Sequence, residues 1–266
     1  MSIPQSPSLS SFDGKNWTIP PIGVVRSAFT EKFGIPRQPG LTPEAKGIVQ
    51  LQPHALFAAA CKELDQFTHI WIIFVFHANE SRDWKPAIRP PRLGGNKKVG
   101  VLSSRSPHRP NPIGMSVVKL DRIELDHPDG VRLHVSGLDI LDGSPVLDIK
   151  PYLPYADSIP NANSGWANDP IPKTEVRFTE EALNDIERRQ TEQLNLKPMI
   201  IEMLELDPRP AFQKRRMPVD DPASVGKRFG FSLFDFDVKW EIQDDHLLVT
   251  GVENLVNGKP AKKSKS

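Results

Sequence analysis

Arg105, His108, Arg109 and Asn111 fall in one short segment, SSRSPHRPNPIGMSVVK, residues 103–119. Pro107, Pro110 and Pro112 punctuate it. Each proline fixes its own φ, donates no backbone hydrogen bond and pushes its predecessor toward extended geometry. The segment is therefore neither helix nor central strand but a stiff loop, released by Gly114 into an apolar run. Cationic and amide donors held still in this way suit the stabilisation of negative charge on a ligand or a reacting atom. A second proline-braced loop, KPAIRPPRLGG from Lys85 to Gly95, carries Arg89 and Arg92 and ends on Gly94-Gly95, where backbone can approach closely.

Between Arg82 and Arg109 there are eight Lys/Arg against one acid, Asp83, although the whole chain of 266 residues has a net charge of only +1. Such a run is either a solvated basic face or a surface for phosphates. The interleaved prolines, glycines and Trp84 favour the binding surface. A third candidate is Arg209 in DPRPAF, Asp207–Phe212. It is either a solvated arginine at a helix stop or a guanidinium fixed for a phosphate or carboxylate, and spacing leaves both open. Lys214, Arg215 and Arg216 follow and tilt the balance toward RNA. Asp139, Asp142 and Asp148 form the acidic counterpart. Asp142 is explained by its turn, whereas Asp139 can bind a hydroxyl pair or balance a cation.

Other chemistries are disfavoured. No G-x-G-x-x-G follows a strand, and neither G-x-x-x-x-G-K-[ST] nor G-x-S-x-G occurs. Seven histidines are scattered without H-x-x-x-H or C-x-x-C spacing, so no metal site is expected. The single cysteine, Cys61, lies in LFAAACKEL on a buried helix face with nothing near it to lower its pKa, so a core thiol is expected rather than a nucleophile. His77 ends an apolar strand and is either a surface cap or a ligand-facing group at a barrel mouth.

The elements that must position these residues follow from periodicity. A helix is expected within His54–Leu64 and a strand buried on both faces at Thr68–His77. Further strands are expected at Lys98–Ser103, Met115–Leu125, Val131–Leu138 and Val146–Pro151, with hairpin signals at Asp126–Gly130 and Asp142-Gly143. Short strands with one helix among them point to a β-barrel. Beyond a non-periodic stretch, a strand is expected at Thr174–Phe178 and helices near Glu180–Leu194 and Pro198–Leu206. The alternating run Phe234–Ile242 pairs through Asp244-Asp245 with His246–Thr250. The fold class is mainly β: a small barrel with a smaller α+β C-terminal domain. The expected divisions are a disordered tail at 1–18, the barrel at 19–160, a linker at 161–172, the C-terminal domain at 173–256 and a basic tail at 257–266. The opening residues lack a basic n-region and an apolar h-region, and Ile70–Phe76 is too short to span a bilayer, so a soluble cytoplasmic protein without membrane contact is expected.

Taken together, IGVVRSAFTEKFGIPRQPG, FTHIWIIFVFH, RPPRLGGN, SRSPHRPNPIGMSVV, GLDILDGSPVLDIKPYLPYAD and DPRPAF closely resemble the TsaA-like family, in the family's order from about Ile22 to Trp240. These are S-adenosylmethionine-dependent methyltransferases of threonylcarbamoyladenosine in tRNA. The resemblance implies a barrel enzyme unlike the Rossmann type, working as a homodimer, that methylates the exocyclic adenine nitrogen beside the anticodon. Carried over by motif, it implies a cofactor site of Arg37, Gln38, Pro39, His77, Arg105, Met115, Ser136, Gly137, Leu138 and Asp139. The family commonly has Gln where this chain has Ala78, which removes a side-chain contact there, and the loop Pro218–Arg228 departs from shorter members. The reacting nitrogen, conjugated to purine and carbamoyl, is weak but acidic. Fixed donors from Arg105, His108, Arg109 and Asn111 are expected to stabilise its deprotonated form, while Arg89, Arg92 or Arg209 holds the threonyl carboxylate. Trp84 and Phe212 are candidates for stacking bases. Two rivals stay open: a non-catalytic RNA-binding module on the same barrel, and a same-fold methyltransferase of another base or a small molecule.

Overall fold

The structure, a computed structural model, describes residues 18–79, 84–191, 194–256 and 259–260. Arg82 and Asp83 of the basic run, nearly all of the N-terminal tail and most of the basic C-terminal tail lie outside the described residues. Six strands close a barrel: β1 (Gly23–Ser27), β2 (Gly47–Leu51), β3 (His69–Val75), β6 (Ile113–Glu124), β7 (Arg132–Ser136) and β8 (Pro145–Pro151), in the order β1-β2-β7-β6-β3-β8. Between β3 and β6 lies a two-stranded pair, β4 (Ala87–Ile88) with β5 (Val99–Gly100). The barrel encloses one core, with Val25, Val49, Ile70, Ile72, Val118, Leu133 and Leu138 fully or almost fully buried. Cys61, just after the short helix α1 (Leu56–Ala60), is buried against this core, and burial pushes its thiol pKa up.

Period-2 patterning makes this closure possible. Along β6, Gly114, Ser116, Val118 and Leu120 point inward, while Ile113, Met115 and Lys119 face out. Gly114 is a packing requirement: a Cβ there would stand 2.3 Å from the Phe74 ring. β3 alternates too, so it is not buried on both faces as expected. Its register with β6 sets Trp71, Ile73 and Val75 opposite Val117, Met115 and Ile113 on the outer wall. Asp142-Gly143 is not a hairpin turn either, because β7 and β8 are separated in the barrel by β6 and β3. Asp142 instead caps β1, its Oδ1 accepting from Ser27 N at 3.0 Å. The strand expected at Lys98–Ser103 shrinks to β5 and a 3-10 turn, Val101–Ser103, closed by Ser104 Oγ donating to the Val101 carbonyl at 2.7 Å.

After α2 (Pro154–Asp157) the chain builds a second sheet. β10 (Arg228–Leu233), β11 (Phe236–Ile242), β12 (His246–Val256) and β13 (Lys259–Pro260) run antiparallel in that order, and β9 (Glu175–Phe178) pairs parallel to β12. Helices α3 (Glu180–Glu187) and α4 (Leu196–Leu204) contribute Ile186, Leu196, Ile200 and Leu204 to its core. α3 starts where Thr179 Oγ1 caps the Ala182 amide at 3.1 Å, an ordinary N-cap. α5 (Ala211–Arg216) and β10 were not expected from the sequence. The run at Phe234 is also corrected: Phe234 is a turn residue at φ +52°, and Asp237, on the face opposite Phe236 and Val238, is buried and paired with Lys239 rather than solvated.

The two cores are not divided at a single point in sequence. Ala28, Phe29 and Ala45, from the connection between β1 and β2, sit in the C-terminal core, fully or almost fully buried. Phe234 N donates to the Ala28 carbonyl at 2.8 Å and Glu44 N to Glu202 Oε2 at 2.9 Å. The long β1–β2 connection is thus held by both units.

Candidate active site

Strand directions put the chemistry at one end of the barrel. β1, β3 and β7 all run toward that end, as the antiparallel pairings Ser27↔Gly47, Val75↔Ile113 and Gly47↔Val135 require. The connections 28–46, 76–112 and 137–144 therefore emerge together, and they carry Arg37, Gln38, His77, Arg105, His108, Arg109, Asn111, Leu138 and Asp139. Gly137 meets Gly40: its carbonyl accepts from Gly40 N at 2.9 Å, and a Cβ on Gly137 would lie 3.3 Å from the Gly40 Cα. Both glycines have φ above +70°, a region open to glycine at little cost.

Across this junction Arg105 Nη1 donates to Gln38 Oε1 at 2.6 Å, joining the proline-braced loop to the β1–β2 connection. Beneath it, Asp139 Oδ1 accepts from Ser116 Oγ at 2.5 Å. Asp139 keeps some solvent contact as a residue, but its carboxyl is largely shut away from water. That burial raises its pKa from 3.8 to about 6, against the Ser116 bond, its own backbone amide and the Arg105 charge. His77 Nδ1 lies 3.2 Å from Ser144 Oγ on the neighbouring connection. Ser136 instead donates to Asp121, and the Leu138 side chain is fully buried in the barrel core, so Leu138 can offer a ligand only its backbone. Met115 is 48% exposed on the outer face of β6, opposite in direction to Ser116.

The loop bearing Arg105 is built by its own serines. Ser104 Oγ accepts from Ser106 N at 3.3 Å and Ser106 Oγ from His108 N at 3.3 Å. Arg109 Nη1 donates to the Ser104 carbonyl at 3.1 Å, bracing the loop from within, and Asn111 is exposed. Asn79 Nδ2 and Trp166 Nε1 pin the loop from outside through the Pro107 and Ser103 carbonyls, at 2.7 and 3.1 Å. His108 Nδ1 is buried with no hydrogen-bond partner among the described residues. Burial first, then the charges of Lys85 and Lys32, hold its pKa below the usual histidine range, so its imidazole is neutral at neutral pH.

Arg89 lines an adjoining cleft of about 330 Å³ together with Arg37, and Arg92 is exposed on the 3-10 turn Pro91–Leu93 outside that lining. Arg209 is corrected. Its side chain is 3% exposed, with Nε and Nη2 each 2.8 Å from the Asp207 carboxylate and Nη1 2.8 Å from the Met217 carbonyl. The guanidinium also lies 5.0 Å from the Phe229 ring centroid and 5.9 Å from that of Trp240. A guanidinium so committed has no face left for a carboxylate. It acts instead through the backbone: the Pro208 and Arg209 carbonyls accept from Arg37 Nη2 at 3.3 and 3.4 Å.

Two groups were missed in the sequence. Ser116 had a signal, a small polar residue at an inward position of an apolar strand. Lys32 and Phe33 had none, because the cleft they line is assembled from segments far apart in the chain.

The fold and the site define a two-part barrel protein whose ligand end is closed by an arginine–glutamine bridge over a buried carboxylate. Residues 24–158 match the tRNA-methyltransferase O N-terminal domain and residues 171–255 the TrmO C-terminal domain. The tRNA (adenine(37)-N6)-methyltransferase of Escherichia coli K12 is 42% identical over 233 residues, covering 87% of this chain and 96% of that protein. A putative S-adenosylmethionine-dependent methyltransferase, RcsF, of Pseudomonas aeruginosa is 44% identical over 84% of this chain and 91% of its own length. The crystal structure of TrmO from Pseudomonas aeruginosa superposes with a TM-score of 0.71 at 36% identity, covering 90% of this chain and all of that one. The chain belongs to the tRNA-methyltransferase O family.

Proposed function

We propose that this protein transfers the methyl group of S-adenosyl-L-methionine to the exocyclic nitrogen of adenine 37 in tRNA, and that it takes this base already bearing threonylcarbamoyl. The Arg105–Gln38 bridge over Asp139, at the barrel end where three loops converge, is the observation that carries the reading. The donor set suits the cofactor: a buried carboxylate complements a cationic group, while Gln38, Arg105 and the Gly137 backbone offer neighbouring polar contacts. When bound, S-adenosyl-L-methionine supplies an electrophilic methyl group on a sulfonium.

The chain's own residues align and stabilise. Asp139 sets negative charge on the cofactor side, and Gln38, Pro39, His77 and the backbone of Ser136, Gly137 and Leu138 complete the wall. Arg105, Arg109 and Asn111 face the incoming base and stabilise charge on its nitrogen as the N–H proton departs. His108, a part-exposed neutral imidazole in the same loop, is suited to hydrogen-bond this nitrogen or accept that proton. Arg89 and Arg92 remain for the threonyl carboxylate. We place the division between domains at the 161–172 stretch, the site of action in the cytoplasm, and the working state as a homodimer. The outer barrel wall supports the dimer, since Trp71, Ile73, Ile113, Met115 and Val117 form an apolar face there.

The test is transfer of labelled methyl to tRNA with and without threonylcarbamoylation, followed by nucleoside mass spectrometry. Label confined to N6 of the threonylcarbamoylated adenine is expected. Equal label in both RNAs overturns the substrate assignment, and no label in either, with no cofactor heat in calorimetry, leaves a binding module.

A further inference from the structure

Arg37 and Gln38 are consecutive but serve different sites. Gln38 reaches Arg105, while Arg37 lines the cleft of about 330 Å³ beside it. Three segments far apart in sequence form that cleft: the β1–β2 connection at 32–37, the arginine loop at 89–95, and DPRP with the start of α5 at 208–215. The last two are clamped together. Gly95, at φ +68°, lies so close to α5 that a Cβ on it would stand 2.9 Å from the Ala211 Cβ, and Arg215 Nη1 bonds Asn96 Oδ1.

The lining has one electrostatic sign. Among the described residues, Lys32, Arg37, Arg89 and Arg215 contribute to it and no carboxylate does. Lys32 and Arg89 make no ion pair among the described residues. Phe33 and Phe212 line the same cleft at 46% and 59% exposure. Cations beside exposed aromatic rings form the pattern that holds a single-stranded nucleotide, phosphate on the charge and base on the ring. The cleft also borders the reacting end twice, through Gln38 and through Lys32, whose charge acts on His108.

We infer that this cleft takes the nucleotide adjoining the methylated base, its base stacked on Phe212 and its phosphate between Lys32 and Arg215. The inference rests on the tRNA reading above and adds a subsite to it. Arg89, on the same lining, stays with the modified base. An acidic protein segment would satisfy the charges but not the flat ring face.

Phe212 is exposed, so its removal leaves the core untouched. With the full-length chain and full-length tRNA, Phe212→Ala is expected to weaken tRNA binding and raise KM for tRNA about tenfold, within the range of about 5- to 150-fold for one stacked base. At saturating tRNA, kcat stays within about twofold, cofactor affinity is unchanged, and Phe212→Tyr restores KM. Arg215→Gln is expected to flatten the slope of log Kd against log salt by about 0.7, one single-strand phosphate contact. Unchanged tRNA affinity in Phe212→Ala, with normal methyl transfer, overturns the subsite and leaves the activity standing. Weakened binding by the variant, with no methyl transfer by the wild type, supports the subsite and overturns the activity. Loss of kcat without change in binding also overturns it, because Phe212 would then act on the reaction and not on a neighbouring nucleotide.

Discussion

Replacing Asp139 by Asn should make the protein more stable and less active, and the gain in stability should depend on pH. The folded chain holds the Asp139 proton more tightly than the unfolded chain, with a pKa raised from 3.8 to about 6 mainly by burial. Between those values the folded state binds more protons, so stability falls as the pH rises through the window. The stabilising contribution of the protonated acid is full below 3.8 and gone above about 6. At about 1.36 kcal/mol per pH unit the difference amounts to about 3 kcal/mol. Asn is close to isosteric, can still accept from Ser116 Oγ and never ionises, so it avoids this cost. The assay is urea unfolding of wild type and variant at a series of pH values from about 4 to 8, followed by tryptophan fluorescence. The two should agree near pH 4 and diverge by about 3 kcal/mol above pH 7, with other titrating groups cancelling in the difference. Methyl transfer at neutral pH should fall by about tenfold or more, as for removal of a preorganised charge. A stability difference that does not change with pH would refute the assignment of a buried, reluctantly ionised carboxyl.

Arg105→Ala removes both the bridge to Gln38 and the charge that favours ionised Asp139, so cofactor affinity should fall and the Asp139 titration should move further up. Calorimetry across pH 5 to 8 measures both, and wild-type affinity and rate in this variant would remove Arg105 from the site. Arg209→Met leaves the part-buried Asp207 carboxylate with Lys214 alone, 3.6 Å away, and the Met217 carbonyl without its donor, and should lower stability by about 1–3 kcal/mol, read as the urea midpoint. Gly114→Ala drives a methyl into the Phe74 ring and should cost about 1–3 kcal/mol, with partial recovery in Gly114→Ala/Phe74→Leu by thermal melting.

The barrel was legible where apolar residues recur with period 2. β6, β7 and β8 lie close to their expected ranges, because alternation there is unbroken by glycine or proline in mid-strand. β10 was hidden although Phe229, Phe231 and Leu233 alternate in it. Gly230 interrupts the run, and its reason is a neighbour elsewhere in the sheet: a Cβ there would stand 2.9 Å from Asp237 Oδ1. The stiffness of the Ser103–Lys119 loop was visible from its prolines, but the Gln38–Arg105 partnership spans 67 residues and has no local signature. Arg209 shows the limit most plainly. Spacing presented an arginine fixed between prolines, and its fixing is real, but the groups that fix it are Asp207 at φ +48°, Phe229 and Trp240. What looked like an open hand is a closed fist.

The placement of Ala28, Phe29 and Ala45 in the far core has a consequence for synthesis. All six barrel strands have been made once Pro151 is added, yet these residues share a core with Phe231, Leu233 and Val252, made about 80 to 100 residues later. A nascent chain therefore carries a finished barrel with one unseated loop, the same loop that bears Arg37 and Gln38. Domains that mature independently can act as soon as they leave the ribosome. Here the loop bearing Arg37 and Gln38 is seated by strands that follow the barrel in sequence, so its packing is complete only once β10 to β12 have been made.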